Sequence, residues 1–228
     1  MPDFSLLIPF DPGSPERERI HAWLLERWQH YLPEAEIIVA GVGKSSRAAN
    51  RNLCAEQATT DRLFFIDADG TAAIGHVRQA MAFAADNRRA VKFRSCCCLT
   101  QAGTETVLAR SPRQRLDIEP EWISNIMEPL PGLVFACTRA TFEQAGRFDE
   151  RFVGWGGEDN AFTAATATLT GLTVLPYPAY HLWHPRYYET GGEHDRHSAT
   201  AQANRALARR YRKAEGRVEA MRRLVAER

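Results

Sequence analysis

Arg62-Leu63-Phe64-Phe65-Ile66-Asp67-Ala68-Asp69-Gly70 decides the fold. A short apolar run ends at two carboxylates and a glycine, the pattern of a buried strand that stops in a polar turn. Upstream, Phe4-Ser5-Leu6-Leu7-Ile8-Pro9 and Ile37-Ile38-Val39-Ala40 read as two more strands. A helix opens at Ser14-Pro15-Glu16, with a capping serine, proline at the first helical position and an acid in the first turn, and carries Ile20, Trp23, Leu24, Trp28 and Tyr31 at helical spacing. Arg47 to Thr59 and Ile74 to Asn87 read as helices, and Ala90 to Cys98 as a strand. The β-α-β-α-β order predicts an α/β fold, a mostly parallel, Rossmann-like central sheet with helices on both faces. Ligands of such sheets bind beyond the carboxyl ends of the strands, where Asp11 and the Asp67/Asp69 pair fall.

The remainder is less regular. Thr100 to Pro131 reads as loop-rich, Gly132 to Thr138 as a strand and Arg139 to Ala145 as a short helix. Ala161 to Thr170 reads as a helix, Thr173 to Leu175 as a strand, and His181 to Arg196 as a loop rich in histidine, tyrosine and glycine. Leu207, Tyr211, Ala214, Val218, Met221 and Val225 step by 4, 3, 4, 3 and 4, a heptad seam on one predicted helix. The expected organisation is a catalytic domain over residues 1–196 and a basic amphipathic helix over 197–228. The seam needs a partner surface: its own domain, a second chain in a homodimer, or an anionic membrane surface. Tyr211, Ala214 and Gly216 weaken it as a free-standing coiled coil and favour docking within the chain.

With 44% hydrophobic and 25% charged residues among 228, the chain is neither disordered nor fibrous. A net charge of +1 gives no whole-surface attraction to nucleic acid. The longest apolar runs fall far below the ~20 residues of a membrane span. Met1-Pro2-Asp3-Phe4 lacks the basic start of a secretory signal. The five cysteines are odd in number and three are adjacent, Cys96-Cys97-Cys98, without metal-type spacing. Reduced thiols and a cytoplasmic location are expected.

Three constellations carry chemistry. Asp67 and Asp69, two apart on an extended segment, put carboxylates on one side and suit a hard divalent cation such as Mg²⁺ or Mn²⁺ with a phosphate completing the shell. The same pair also suits a turn with capping aspartates. Gly154-Trp155-Gly156-Gly157-Glu158-Asp159 combines backbone freedom, a flat apolar face and adjacent acids fit for a general base. It also suits a tight turn before a helix whose N-terminus favours acids. Tyr180-His181-Leu182-Trp183-His184-Pro185 offers two imidazoles to complete the aspartate site.

These blocks resemble, in order, those of nucleotide-sugar glycosyltransferases of the GT-A fold. Ser46-Arg47-Ala48-Ala49-Asn50-Arg51-Asn52 resembles the arginine-alanine helix of the β-1,4-galactosyltransferases, and Asp67-Ala68-Asp69 takes the place of their DxD metal motif. Gly146-Arg147-Phe148-Asp149-Glu150-Arg151-Phe152 with Gly154 to Asp159 resembles the galactosyltransferase C-terminal motif, shared with chondroitin-polymerase-type enzymes. The resemblance spans roughly residues 4 to 190. It implies an inverting, metal-dependent transferase that moves a sugar from a nucleoside-diphosphate sugar, with a UDP-sugar expected, to an acceptor hydroxyl on a glycan, protein, lipid or modified nucleobase. Pro9, Phe10, Asp11, Arg47, Asp67, Ala68 and Asp69 would bind donor, and Trp155, Gly156 and Gly157 acceptor. Asp69 and Asp67, with His181 or His184, would hold Mn²⁺ or Mg²⁺; Pro178-Ala179-Tyr180 resembles the lead-in to the ligand in chondroitin-polymerase-type enzymes and favours His181. Asp159 would be the base and Glu158 would hold acceptor or base in place. Retaining relatives have asparagine at the second acid of this block, so Asp159 implies inversion. The competing readings are a non-catalytic nucleotide-sugar or glycan-binding module of this fold, and a sugar nucleotidyltransferase. The latter lacks its glycine-rich basic loop, since Ile8 to Pro15 contains one glycine and no basic residue.

Overall fold

A computed structural model describes residues 1–41, 46–130, 132–154, 156–185 and 198–228. Strand β1 (Phe4–Pro9) is followed by helix α1 (Pro15–Tyr31), β2 (Ala35–Ala40), α2 (Arg47–Gln57), β3 (Arg62–Ile66), β4 (Gly70–Ala72), α3 (Ile74–Asn87) and β5 (Ala90–Leu99). Then come α4 (Gln101–Leu108), β6 (Ile123–Met127), β7 (Val134–Thr138), α5 (Arg139–Gln144), α6 (Glu158–Leu169), β8 (Leu172–His181), α7 (Ala199–Ala214) and α8 (Val218–Ala226). The predicted cap forms, with Ser14 accepting from the Arg17 N–H at the start of α1, and Ser46 caps α2 in the same way by accepting from the Ala49 N–H.

The strands make one sheet in the order β2-β1-β3-β7-β5-β8-β4, with β6 on β5. Strands β1, β2 and β3 are mutually parallel, and β7 lies antiparallel between β3 and β5. Because β8 is parallel to β5, the carboxyl ends of β1, β3, β5 and β8 share one edge, and the amino end of β7 joins them. Alternation along β1 sends Leu6 and Ile8 toward α1 and α3, where they meet Trp23, Leu24, Trp28, Val77 and Ala80. Leu7 points to the opposite face, among Cys54 and Ala55 of α2, Phe142 of α5 and Phe162 of α6. Helices therefore cover both faces, as the α/β, Rossmann-like reading of the element order predicts.

Three local expectations need correction. The supposedly loop-rich middle contains α4 and β6. Gly103 and two threonines weaken the helical signal of α4, yet Thr100 caps it by accepting from the Gly103 N–H, and a Cβ at Gly103 would lie 2.6 Å from Trp122 Cβ. The strand expected at Thr173–Leu175 runs on to His181 despite Pro176 and Pro178, because a register shift opposite Phe93 to Ser95 of β5 absorbs the prolines. His181 thus ends a strand. The predicted C-terminal helix is two helices, separated at Gly216, whose φ is +72°.

The heptad seam is satisfied within the chain. Tyr211, Ala214 and Met221 of the seam, joined by Leu224 outside it, pack on Phe152, Ala161, Ala164 and Ala165; Leu207 and Val225 are partly buried against them, while Val218, at the break, is exposed. Among the described residues no helix is long and apolar enough to cross a membrane. None of the five cysteines is in a disulfide.

Candidate active site

The site forms where strand ends meet the start of α6. Past Ile66 the chain leaves β3 in a tight turn, with the Gly70 N–H donating to the Asp67 carbonyl at 2.9 Å. The expectation that Asp67 and Asp69 point the same way depends on extended backbone; the turn separates them. Asp69 is buried and faces two imidazoles: His184 Nε2 is 3.1 Å from its Oδ2 and His181 Nε2 is 3.5 Å from its Oδ1. One ligand atom from each of the three lies within 4.8 Å of the others. β8 delivers His181 beside Gly70 of β4, and the Leu182 N–H donates to the Asp69 carbonyl at 2.9 Å, so sheet pairing holds the cluster. The neighbouring imidazoles and Arg17 hold the Asp69 carboxyl well below the ordinary carboxylate range, outweighing the effect of burial. Burial draws the His184 imidazole down, but the hydrogen bond to Asp69 and its charge raise it on balance. His184 Nδ1 lies 2.9 Å from the Pro185 carbonyl. Donation there leaves the Nε2 lone pair for a metal.

Asp67 instead meets Arg51. Arg51 Nη2 is 2.7 Å from Asp67 Oδ1, and Nη1 is 3.2 Å from Glu158 Oε1 and 3.0 Å from Asp159 Oδ1. The guanidinium is 2% exposed and lies over the Phe148 ring at 5.0 Å. Burial disfavours its charge, but the three carboxylates raise its pKa on balance. Asp159 Oδ1, though near Arg51, has no aligned hydrogen-bond donor. Burial, with Glu158 and Asp67 adding to it and Arg51 and Arg47 opposing, raises Asp159 to about 7. Its carboxylate lies against Gly132, in the space a Cβ there would need. Gly156 and Gly157, with φ of +100° and +103°, form the approach to α6.

The remaining predicted residues line the same edge. Pro9 ends β1, the Phe10 ring stacks on His21 at 4.0 Å, and the Asp11 carbonyl accepts from Arg17 Nη1 at 3.3 Å. Ala68 is buried and Arg47 is exposed at the first turn of α2. Trp155 and residues 42–45 and 186–197 lie outside the described residues. Sequence reasoning missed two cations, Arg17 and Arg51. Arg17 Nη2 sits 3.8 Å from Asp69 Oδ2, joining the end of β1 to the imidazole cluster. Arg51 stood inside a quoted motif, one helical turn after Arg47, so its face of α2 was the available signal.

Residues 123–190 match the family model described as the N-terminal domain of galactosyltransferase. A search of curated protein sequences gives no significant match. Among solved structures, the chain is similar to the catalytic domain of Drosophila β1,4-galactosyltransferase 7 in complex with xylobiose, at 17% identity and a TM-score of 0.53, over 90% of this chain and 80% of that one. A mutant of that enzyme in complex with manganese, UDP-Gal and xylobiose matches equally, at 17% identity and 0.53. GalNAc-T7 with UDP, GalNAc and Mn²⁺ matches at 14% identity and 0.54, over 90% of this chain and 47% of that one. The likeness to these solved structures shows that the chain has the GT-A fold, and the galactosyltransferase family model covers residues 123–190 of its 228.

Proposed function

We propose that the chain is an inverting, Mn²⁺-dependent transferase that moves a sugar from a UDP-sugar to an acceptor hydroxyl. The observation that carries this reading is the shared strand edge: Asp69, His181 and His184 gather on one side, and Glu158 and Asp159 open α6 on the other. One carboxylate and two imidazoles converging within 4.8 Å fit a divalent ion. The two nitrogen donors suit Mn²⁺ better than Mg²⁺, which prefers oxygen ligands. Solved neighbours of this fold hold manganese and UDP-Gal, or UDP and Mn²⁺. Bound there, the ion would supply Lewis-acid stabilisation of charge on a departing diphosphate.

The chain's own residues do the rest. Arg17 and Arg47 offer charge-assisted contacts to the diphosphate. Asp159, with a pKa of about 7, is ionised in a useful fraction near neutral pH and basic enough to take the acceptor proton. Its partly exposed carboxylate has one oxygen without an aligned donor. Arg51 faces Asp67, Glu158 and Asp159 together and fixes the direction of the base. A single base acting with direct displacement inverts the anomeric carbon. Trp155, Gly156 and Gly157 are proposed to receive the acceptor. The proposed compartment is cytoplasmic, in keeping with thiols outside any disulfide.

The test is release of nucleoside diphosphate from a panel of UDP-, GDP- and CDP-sugars with and without Mn²⁺, followed by NMR assignment of the product anomer. Mn²⁺-dependent release from a UDP-sugar with inverted product is expected. Turnover undiminished by chelator, or a retained anomer, would overturn the reading.

A further inference from the structure

The approach to Glu158 and Asp159 is gripped from two sides. On one side is Ser46, the cap of α2: its Oγ donates to the Phe152 carbonyl at 3.2 Å, and its backbone forms a parallel bridge with Gly154. On the other is Asn204 of α7. Its Nδ2 donates to the Val153 carbonyl at 2.8 Å, and its Oδ1 accepts from the Val153 N–H at 3.3 Å. One side-chain amide therefore pairs with both backbone polar groups of a single residue, as a neighbouring strand would. Just ahead, α7 closes on the last residue before α6, where a Cβ at Gly157 would lie 3.5 Å from Ala208 Cβ. Just behind, the Tyr211 hydroxyl donates to Asp149 Oδ2 at 2.8 Å, and Arg151 Nη2 donates to the Leu224 carbonyl at 3.2 Å.

Asn204 is 5% exposed. Asparagine is a poor residue for a helix interior, and a buried amide is costly unless its hydrogen bonds are made. An apolar residue would continue the α7 seam with less penalty. The grip on Val153 compensates the amide at both its donor and its acceptor. It comes from α7, beyond residues 123–190 that carry the galactosyltransferase-domain match.

We infer that Asn204 is a positioning residue, which sets the backbone of Val153 on the approach to α6 and thereby the placement of Glu158 and Asp159. Its catalytic consequence rests on the transferase reading above; its structural part does not.

The test uses the full chain with Asn204→Leu, which keeps the seam apolar, and Asn204→Asp, which keeps the acceptor but loses the donor. Hydrogen exchange in peptides covering residues 150–160 should accelerate about tenfold, the scale of one or two net hydrogen bonds lost. Peptides from α3 and β5 should be unchanged. With the UDP-sugar that the wild type hydrolyses best and p-nitrophenyl glycosides as acceptor probes, acceptor KM should rise about tenfold by the same loss, with the Kd of UDP–Mn²⁺ unchanged. Unchanged exchange at 150–160, or faster exchange throughout the chain, would overturn the inference. So would faster local exchange with no change in acceptor KM. If the wild type turns over no nucleotide sugar, the transferase reading fails, and exchange alone decides whether Asn204 sets this segment.

Discussion

Arg51 Nη2 lies 2.7 Å from Asp67 Oδ1, and the same guanidinium faces Glu158 and Asp159 through Nη1. One buried cation thus ties the end of β3 to the start of α6, and the proposed donor side of the site to the proposed base. Three carboxylates around one cation leave excess negative charge in a buried setting. Burial, together with that excess, raises Asp159 to about 7.

Removing that cation should therefore be severe. Arg51→Met leaves buried carboxylates uncompensated and should cost about 3–5 kcal/mol, the range for breaking a buried ion pair. Arg51→Lys keeps the charge without the fork and should lose part of that stability. Urea denaturation at pH 7.5 checks both. Equal midpoints for wild type and Arg51→Met would show that Arg51 is not the hub.

Asp159 links pH to stability and to rate with opposite signs. Its folded pKa, about 7, exceeds its ordinary value of 3.8. Between those values the folded state binds the extra proton, so this group's contribution to stability declines as pH rises through the window and is level above it. Asp159→Asn should therefore melt higher than wild type at pH 8 and differ little at pH 4. Transfer, in contrast, needs the ionised base. Wild-type kcat/KM should rise with an acidic limb near 7, and Asp159→Asn should lose about 10²–10⁴-fold of the rate. Donor affinity falling in step with transfer would assign Asp159 to the donor side instead.

The imidazole cluster predicts metal behaviour. Asp69→Asn and His184→Ala should each weaken Mn²⁺ binding at least tenfold, read from the EPR signal of free Mn²⁺, with circular dichroism unchanged. Asp67→Asn, whose carboxylate faces Arg51, should weaken it far less. Equal losses for Asp67 and Asp69 would bring Asp67 into the shell.

Gly132 offers a separate test of the base. Gly132→Ala puts a methyl where the Asp159 carboxylate lies. Displacing the carboxylate by about 1 Å should cost on the order of 10²-fold in transfer, while the UDP–Mn²⁺ affinity is retained. Unaltered transfer would mean that the carboxylate works from another position.

Truncation after Ala203 removes Tyr211, Met221 and Leu224 from contact with Phe152, Ala161, Ala164 and Ala165. The melting temperature and solubility should both fall. A truncated chain that melts unchanged but shifts from dimer to monomer by light scattering would show that the helices serve a second chain.

Much of the frame was legible in the sequence, because strand β3, the cap of α1 and the boundaries of α3 depend on local periodicity and capping chemistry. Asp69, the two histidines, Glu158 and Asp159 could be picked out by residue type, since few side chains bind metals or take protons. Their grouping could not. Asp67 and Asp69 diverge because the chain turns between them, a turn closed by a single Gly70-to-Asp67 hydrogen bond. His181 and His184 reach Asp69 only because β8 continues through two prolines against a shifted β5. Arg51 acquires its role from three carboxylates 16, 107 and 108 residues away along the chain. The seam of α7 and α8 was visible as a pattern, but its partner was not, because apolar periodicity names a face to be buried without naming the surface that buries it. By itself the sequence determined the strands and helices that local periodicity and capping set, and which residues carry reactive groups. Tertiary structure alone decided which of those groups share a charge, a metal site or a backbone clamp, since distances of a few ångströms arise between residues that the chain holds far apart.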